Sequence, residues 1–255
     1  MKLTLCALQI FAIYLSILLF SNLSLAQEMK YESALFIADS HGAGAFGIEV
    51  DKYLRTIASQ ATSVASCGSS PSNWVSGSTT IQKTNCGYWR KKPDGNEIRV
   101  PKHELGSLEN ELDQAKPNLT VVALGTNMLS SPQNIEKEKA SIEKMIAQIK
   151  KSKSQCIWIG PPDLVKKPFI DNLKNGIKEI RAVVEKNKCV FIDSTEVTTY
   201  AKNNKDGIHY GKREAADWGI DASEKINQQL AGLPVLKKAK SKEPSGKKKK
   251  AAVQN

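Results

Sequence analysis

The sequence has no internal repeat, which excludes a stacked array of small units. Histidine is scarce: His41, His103 and His209 are the three in the chain, so chemistry that needs an imidazole has few places to reside. Past about Phe20 there is no long apolar segment, and the body of the chain holds no membrane-length stretch. Cys6 lies inside the apolar start with no lipobox around it, which excludes a lipid-anchored N-terminus. The body is also short of positive charge, although the formal net charge is +11: Lys237 to Lys250 carries +7 and Lys2 one more, leaving +3. A basic surface of the kind that holds nucleic acid is therefore not indicated.

What is present begins with an export signal. Lys2 supplies a small positive start, an apolar run follows to about Phe20, and Leu-Ser-Leu-Ala ends at Ala26 with small residues where a signal peptidase reads. Residues 1–26 are expected to be removed, leaving no stable membrane insertion; an uncleaved anchor is the alternative reading of the run from Leu3 to Leu19. Residues 27–232 suffice for one domain with a sizeable core and are too few for two comfortable ones. Residues 233–255 form a lysine-rich tail with Pro244, Gly246 and no apolar period, so disorder is expected there. The tail is either a plain solvated end or a weak contact for polyanions such as wall polymers or acidic lipid heads; export argues against specific nucleic acid binding.

Four cysteines remain in the exported chain: Cys67, Cys86, Cys156 and Cys189. An oxidising periplasmic or extracellular compartment permits pairing, and four cysteines allow three connectivities. Cys156 with Cys189 is favoured because each opens an apolar strand-like run, and Cys67 with Cys86 because that bond would close the loop between them. Four separately buried thiols are the alternative.

From Tyr31 onward short apolar runs alternate with amphipathic segments, the pattern of parallel strands joined by crossover helices. Strands are predicted at 33–39, 61–67, 119–125, 155–160 and 189–193, mostly apolar on successive residues as a sheet covered on both faces requires. Helices are predicted at about 44–59, 104–115, 134–152, 169–187 and 212–230. In the third, Ile135, Ile142, Met145, Ile146 and Ile149 fall on one stripe. Residues 69–102 interrupt the alternation. They read either as a surface excursion or as a wall of the functional site in which Trp74, Tyr88 or Trp89 meets a ligand.

Loops at the C-terminal ends of parallel strands are where an open α/β sheet places its ligand. Here they hold Ala38-Asp39-Ser40-His41-Gly42, Cys67-Gly68-Ser69-Ser70, Gly125-Thr126-Asn127 and Asp206-Gly207-Ile208-His209. Singly, each has an ordinary reading: Ser40 as a helix cap, Gly68 as a turn residue, Asn127 as a loop amide, His209 as a locally bonded imidazole. Jointly they supply a nucleophile, a base and an acid. A serine hydroxyl needs a base to take its proton, and an imidazole needs a partner that fixes its tautomer. The backbone N–H groups of Ser40 and Gly68 and the side-chain amide of Asn127 are candidate donors to a developing oxyanion. His41 is expected to have a local structural role, and His103 is given none.

These blocks resemble those of the SGNH, or GDSL-type, hydrolases, which are recognised by a GDS-type block, a second-block glycine, Gly-x-Asn, and a C-terminal Asp-x-x-His. The matches are Asp39-Ser40, Gly68, Gly125-Thr126-Asn127 and Asp206-Gly207-Ile208-His209, in family order across residues 33–230. Ala38 stands where the family usually has glycine, and Met128 where many members have aspartate; Gly77 is a second candidate for the second-block glycine. The resemblance implies a three-layer α/β/α flavodoxin-like fold with a central, mostly parallel five-stranded sheet. It implies no metal and no organic cofactor, and ester hydrolysis through an acyl-enzyme at Ser40, His209 and Asp206. Export, and the lack of a segment marking a lipase lid, direct the expected substrate toward O-acetyl esters on polysaccharide or peptidoglycan. An O-acyltransferase, a lipid or thioester hydrolase, and a non-catalytic wall-binding module are the alternatives.

Overall fold

The computed structural model describes residues 29–75, 87–201 and 206–232; the expected export signal, Gly77, Cys86 and the lysine-rich tail lie outside these residues. The central strand β1, Tyr31–Ala38, pairs in parallel with β2, Ala58–Ser66, on one side and β5, Leu119–Ala123, on the other. Beyond β5 come β6, Gln155–Ile159, and β7, Val190–Ile192, also parallel. These are the five expected strands. Two more, β3, Tyr88–Lys91, and β4, Glu97–Val100, form an antiparallel hairpin on the outer edge of β2, giving seven strands in the order β4-β3-β2-β1-β5-β6-β7.

The extra hairpin corrects both the strand count and the reading of residues 69–102. Its strands are four residues each; Tyr88–Lys91 has no alternation, and that of Glu97–Val100 rests on Ile98 and Val100 alone, too short to mark a strand. The turn between them is built on Pro93-Asp94-Gly95, where Asp94 Oδ1 accepts from the Asn96 N–H at 2.9 Å. Trp74 and Trp89 are 0% and 1% exposed, and Tyr88 is buried against His103 with ring centroids 3.6 Å apart. The aromatics of this segment are core residues, and the reading of them as a ligand wall is overturned: their faces are spent on packing.

Side chains alternate across β1. Leu35 and Ile37 enter one core with α3, Leu108–Ala115, α4, Pro132–Lys151, and α5, Phe169–Lys186. Ala34, Phe36 and Ala38 enter the other, under α1, Ala45–Ile57, and α6, Lys212–Ala231. The result is the three-layer arrangement that the apolar strands predict. Helix α2, Pro71–Trp74, is a short addition within the 69–102 segment; the other five fall within a few residues of expectation, although α1 ends at Ile57 and the chain enters β2 at once.

Local chemistry sets several boundaries. Helix α4 starts where the Ser131 hydroxyl accepts from the Asn134 N–H at 3.1 Å and Pro132 occupies the first turn; Lys150 and Lys151 sit at its C-terminal end. Its predicted stripe is buried throughout: Ile135, Ile142, Met145, Ile146 and Ile149. Burying one such side chain is worth about 1.5–3 kcal/mol, and this stripe anchors the helix to the sheet. Cys156 and Cys189, directly before the paired residues Ile157 and Val190, form the expected disulfide with Cα atoms 4.9 Å apart. Cys67 is also disulfide-bonded, and Cys86, its expected partner, lies outside the described residues.

Candidate active site

Parallel register brings the site loops together. Ala38 at the end of β1 pairs with Ala65 of β2 and Ala123 of β5, so Ser40, Gly68 and Asn127 follow strands that end side by side at one edge of the sheet. The last two site residues arrive from the segment before α6. His209 Nε2 lies 2.8 Å from Ser40 Oγ, and His209 Nδ1 lies 2.6 Å from Asp206 Oδ2. With a carboxylate on Nδ1, the consistent tautomer carries its proton there and leaves Nε2 to accept from the serine hydroxyl.

The Asp206–His209 turn is held by its own backbone. Asp206 Oδ1 accepts from the N–H groups of Ile208 at 2.8 Å and His209 at 2.7 Å, leaving Oδ2 for the ring. Partial burial pushes the Asp206 carboxyl up, but these backbone bonds, the ring bond and the nearby His209 charge outweigh it and bring the carboxyl down to about 2. Gly207 is left-handed at φ +77, and a Cβ there would stand 3.1 Å from the Lys166 nitrogen, so the turn favours glycine on two counts.

Tyr200 is a site residue that the sequence reading missed. Its hydroxyl accepts from the Gly207 N–H at 2.8 Å and lies 3.2 Å from the His209 carbonyl, to which it donates. A phenol therefore ties both ends of the Gly207–His209 segment to the loop after β7. Nothing local marks it, since its partners come together only through the fold.

On the other side of Ser40, Asn127 donates from Nδ2 to the Ser69 carbonyl at 3.0 Å, linking the Gly-x-Asn loop to the loop that carries Gly68. Gly68 is exposed with φ +73, a conformation in which a side chain would be strained. The second loop is fastened from below: Trp74 Nε1 donates to Ser69 Oγ at 3.1 Å, and the buried Glu138 carboxylate of α4 accepts from Ser72 N–H at 2.7 Å and Ser72 Oγ at 2.6 Å.

Beneath Ser40 the surroundings turn apolar. Asp39 is buried, with a carboxyl that burial pushes up to about 7 despite the His41 N–H bond at 3.0 Å and the His209 charge. His41 is buried as well, and burial, aided by the His209 charge, takes its imidazole down to about 3, so it stays neutral. Its ring packs against His209 on one side and Trp218 on the other, with centroids 5.2 Å away in each case. His103, stacked on Tyr88, belongs to the outer sheet edge. Among the described residues no group of three or more His, Cys, Asp or Glu side chains converges as a metal site, and no helix is long and apolar enough to cross a membrane.

Among the described residues the site is partly open, with Ser40 half-buried. The side chains of His209 and Asp206 are 45% and 47% exposed. A larger groove of about 610 Å³, between Tyr53 of α1 and Ile220 of α6, holds none of these residues.

A mostly parallel sheet between two helical layers, with these loops along one edge, is the three-layer α/β/α fold expected, and solved structures share it. The native aryl esterase of M. Smegmatis is similar over 76% of this chain and 98% of its own, at 15% identity and a TM-score of 0.55. A carbohydrate acetylesterase family member from Sinorhizobium meliloti is similar over 78% of this chain and 99% of its own, at 14% identity and a TM-score of 0.53. The psychrotrophic esterase EstA from Pseudoalteromonas sp. is similar over 79% and 100%, at 13% identity and a TM-score of 0.53. No family model and no curated protein matches the sequence significantly, so the likeness is one of fold.

Proposed function

We propose that this protein is an exported serine ester hydrolase that removes O-acetyl groups from carbohydrate or cell-wall polymer. The observation that carries the reading is the continuous chain from Ser40 Oγ to His209 Nε2 at 2.8 Å and from His209 Nδ1 to Asp206 at 2.6 Å. Such a chain is competent for acyl transfer. His209 takes the hydroxyl proton as Ser40 attacks the ester carbonyl, and Asp206 stabilises the imidazolium that forms. The oxyanion is held by Ser40 N–H, Gly68 N–H and the Asn127 amide. His209 then returns the proton to the departing alcohol, and water activated by the same imidazole releases the acid and frees Ser40.

The partial exposure of His209 and Asp206 supports a polymer-borne ester, because groups within reach of solvent can meet an acetyl group on a chain too large to enter a closed pocket. The Sinorhizobium meliloti neighbour, described as a carbohydrate acetylesterase family member, agrees with that substrate class. The disulfides and the N-terminal signal agree with export to an oxidising compartment. The lysine-rich tail suits retention near an anionic wall.

A fluorophosphonate probe tests the nucleophile: it is expected to label Ser40 in the wild type and to leave Ser40→Ala unlabelled. Turnover of acetylated peptidoglycan, acetylated xylan and a chromogenic acetate then ranks the substrates. A protein that binds wall polymer, resists the probe and cleaves no ester is a binding module, and acetyl recovered on an added sugar instead of in solution makes it a transferase.

A further inference from the structure

Behind the triad, two buried polar atoms meet no hydrogen-bond partner: Nε2 of His41 and Nε1 of Trp218. Leaving such a group unsatisfied costs about 1–3 kcal/mol. Both side chains line one small cavity, together with Asp39, Thr126 and Gly160, in which about 10 Å³ is open to the centre of a water molecule. That is about the space of a single water. An indole N–H can only donate, so its partner must be an acceptor; a water molecule accepts that bond and still has protons for an imidazole nitrogen or a carboxylate.

The place of the cavity gives it a functional bearing. The His41 ring centroid is 5.2 Å from that of His209 on one side and 5.2 Å from that of Trp218 on the other, and Trp218 is stacked on Phe46 at 3.7 Å. The His209 side chain is 45% exposed, and beside its bonds to Asp206 and Ser40 the face it turns to His41 is a further constraint on its ring.

We propose that this cavity binds one water molecule, bridging Trp218 Nε1 and His41 Nε2, and that the bridge makes His41 and Trp218 positioning residues for the His209 imidazole. The water locks the His41 ring, and the His41 ring backs His209 at the angle from which Nε2 meets Ser40. The positioning role rests on the assignment of His209 as catalytic base; the water site does not.

Two measurements test it. A high-resolution crystal structure of the wild type should show one density peak within hydrogen-bond distance of both nitrogens. An empty cavity, or either nitrogen turned to a protein partner, overturns the proposal whether or not the protein hydrolyses esters. For positioning, His41→Phe and Trp218→Phe keep an aromatic ring and lose the nitrogen, and His41→Gln keeps a polar atom near the place of Nε2. Each Phe variant is expected to lose about three- to tenfold in kcat on a chromogenic acetate with KM unchanged, and the double Phe variant no more than the worse single one, since both cut the same bridge. His41→Gln should recover most of the loss. Multiplicative losses in the double variant, or folded Phe variants as active as the wild type, remove the positioning role. Absence of esterase activity in the wild type instead refutes the proposed function and leaves the density test standing.

Discussion

His209 Nε2 and Ser40 Oγ stand 2.8 Å apart although 169 positions separate them in the chain. The serine is delivered by the central strand and the imidazole by the approach to α6, which packs beside α1 on the same face of the sheet. The contact therefore depends on the packing of both helices, through Phe46 and Trp218, as much as on the loops.

Ser40→Ala and His209→Ala are each expected to lower kcat by about 10⁴-fold or more, with the double variant no worse than either single one, because the pair works as a unit. Steady-state rates on a chromogenic acetate check this. Losses that multiply would break the assignment.

Asn127→Ala should cost about 10²–10³ in kcat with KM little changed, the signature of a donor that acts on the oxyanion. Since Asn127 also holds the Ser69 carbonyl, thermal unfolding of the same variant has to be measured beside the rates. A variant with wild-type kcat would remove Asn127 from the oxyanion hole.

Tyr200→Phe deletes the acceptor of the Gly207 N–H and the donor to the His209 carbonyl. We expect a loss of about 1–2 kcal/mol in stability and roughly tenfold in kcat, as the Asp206–His209 turn loosens. Chemical denaturation and rate measurements on one preparation separate the two effects.

Burial raises Asp39 to about 7, above the ordinary carboxylate value of 3.8, so between those values the folded protein binds a proton that the unfolded chain releases. Stability from this group is complete below about pH 4 and is lost as pH rises through about 7. Asp39→Asn can still accept the His41 N–H and has no such proton. Its melting temperature should therefore fall less than that of the wild type between pH 5 and pH 8.5. Parallel melting curves for the two proteins across that range would refute the assignment.

Reduction of the Cys156–Cys189 bond, or Cys156→Ser with Cys189→Ser, should cost about 4 kcal/mol for a sequence separation of 33. In a domain of this size that is roughly an 8–16 °C fall in melting temperature. Calorimetry of the double variant measures it without disturbing Cys67.

Five strands, five helices, the Cys156–Cys189 pair and a set of candidate site residues could be read from the chain because each has a local signature. Apolar runs fit covered strands, the stripe on α4 fits a packed helix, and the Asp206-Gly207-Ile208-His209 turn carries its own carboxylate-to-backbone bonds. The β3–β4 hairpin was harder to see, since its strands are short and charged, with Arg90 paired to the distant Glu111; the Pro93-Asp94-Gly95 turn and the brief alternation of Glu97–Val100 were its local marks.

Other features have no sequence signature because their parts come from distant segments. Trp74 and Trp89 resemble ligand-facing aromatics until packing buries them, and Tyr200 becomes a support for the catalytic turn only once β7 and α6 are side by side. The orphaned nitrogens of His41 and Trp218 share a cavity because α6 crosses behind the end of β1. Residue types and short-range spacing carry the chemistry that this chain can perform. The distances that let it perform that chemistry arise when two helices and three neighbouring strands bury their apolar faces together, because only close packing holds side chains encoded so far apart within hydrogen-bond reach.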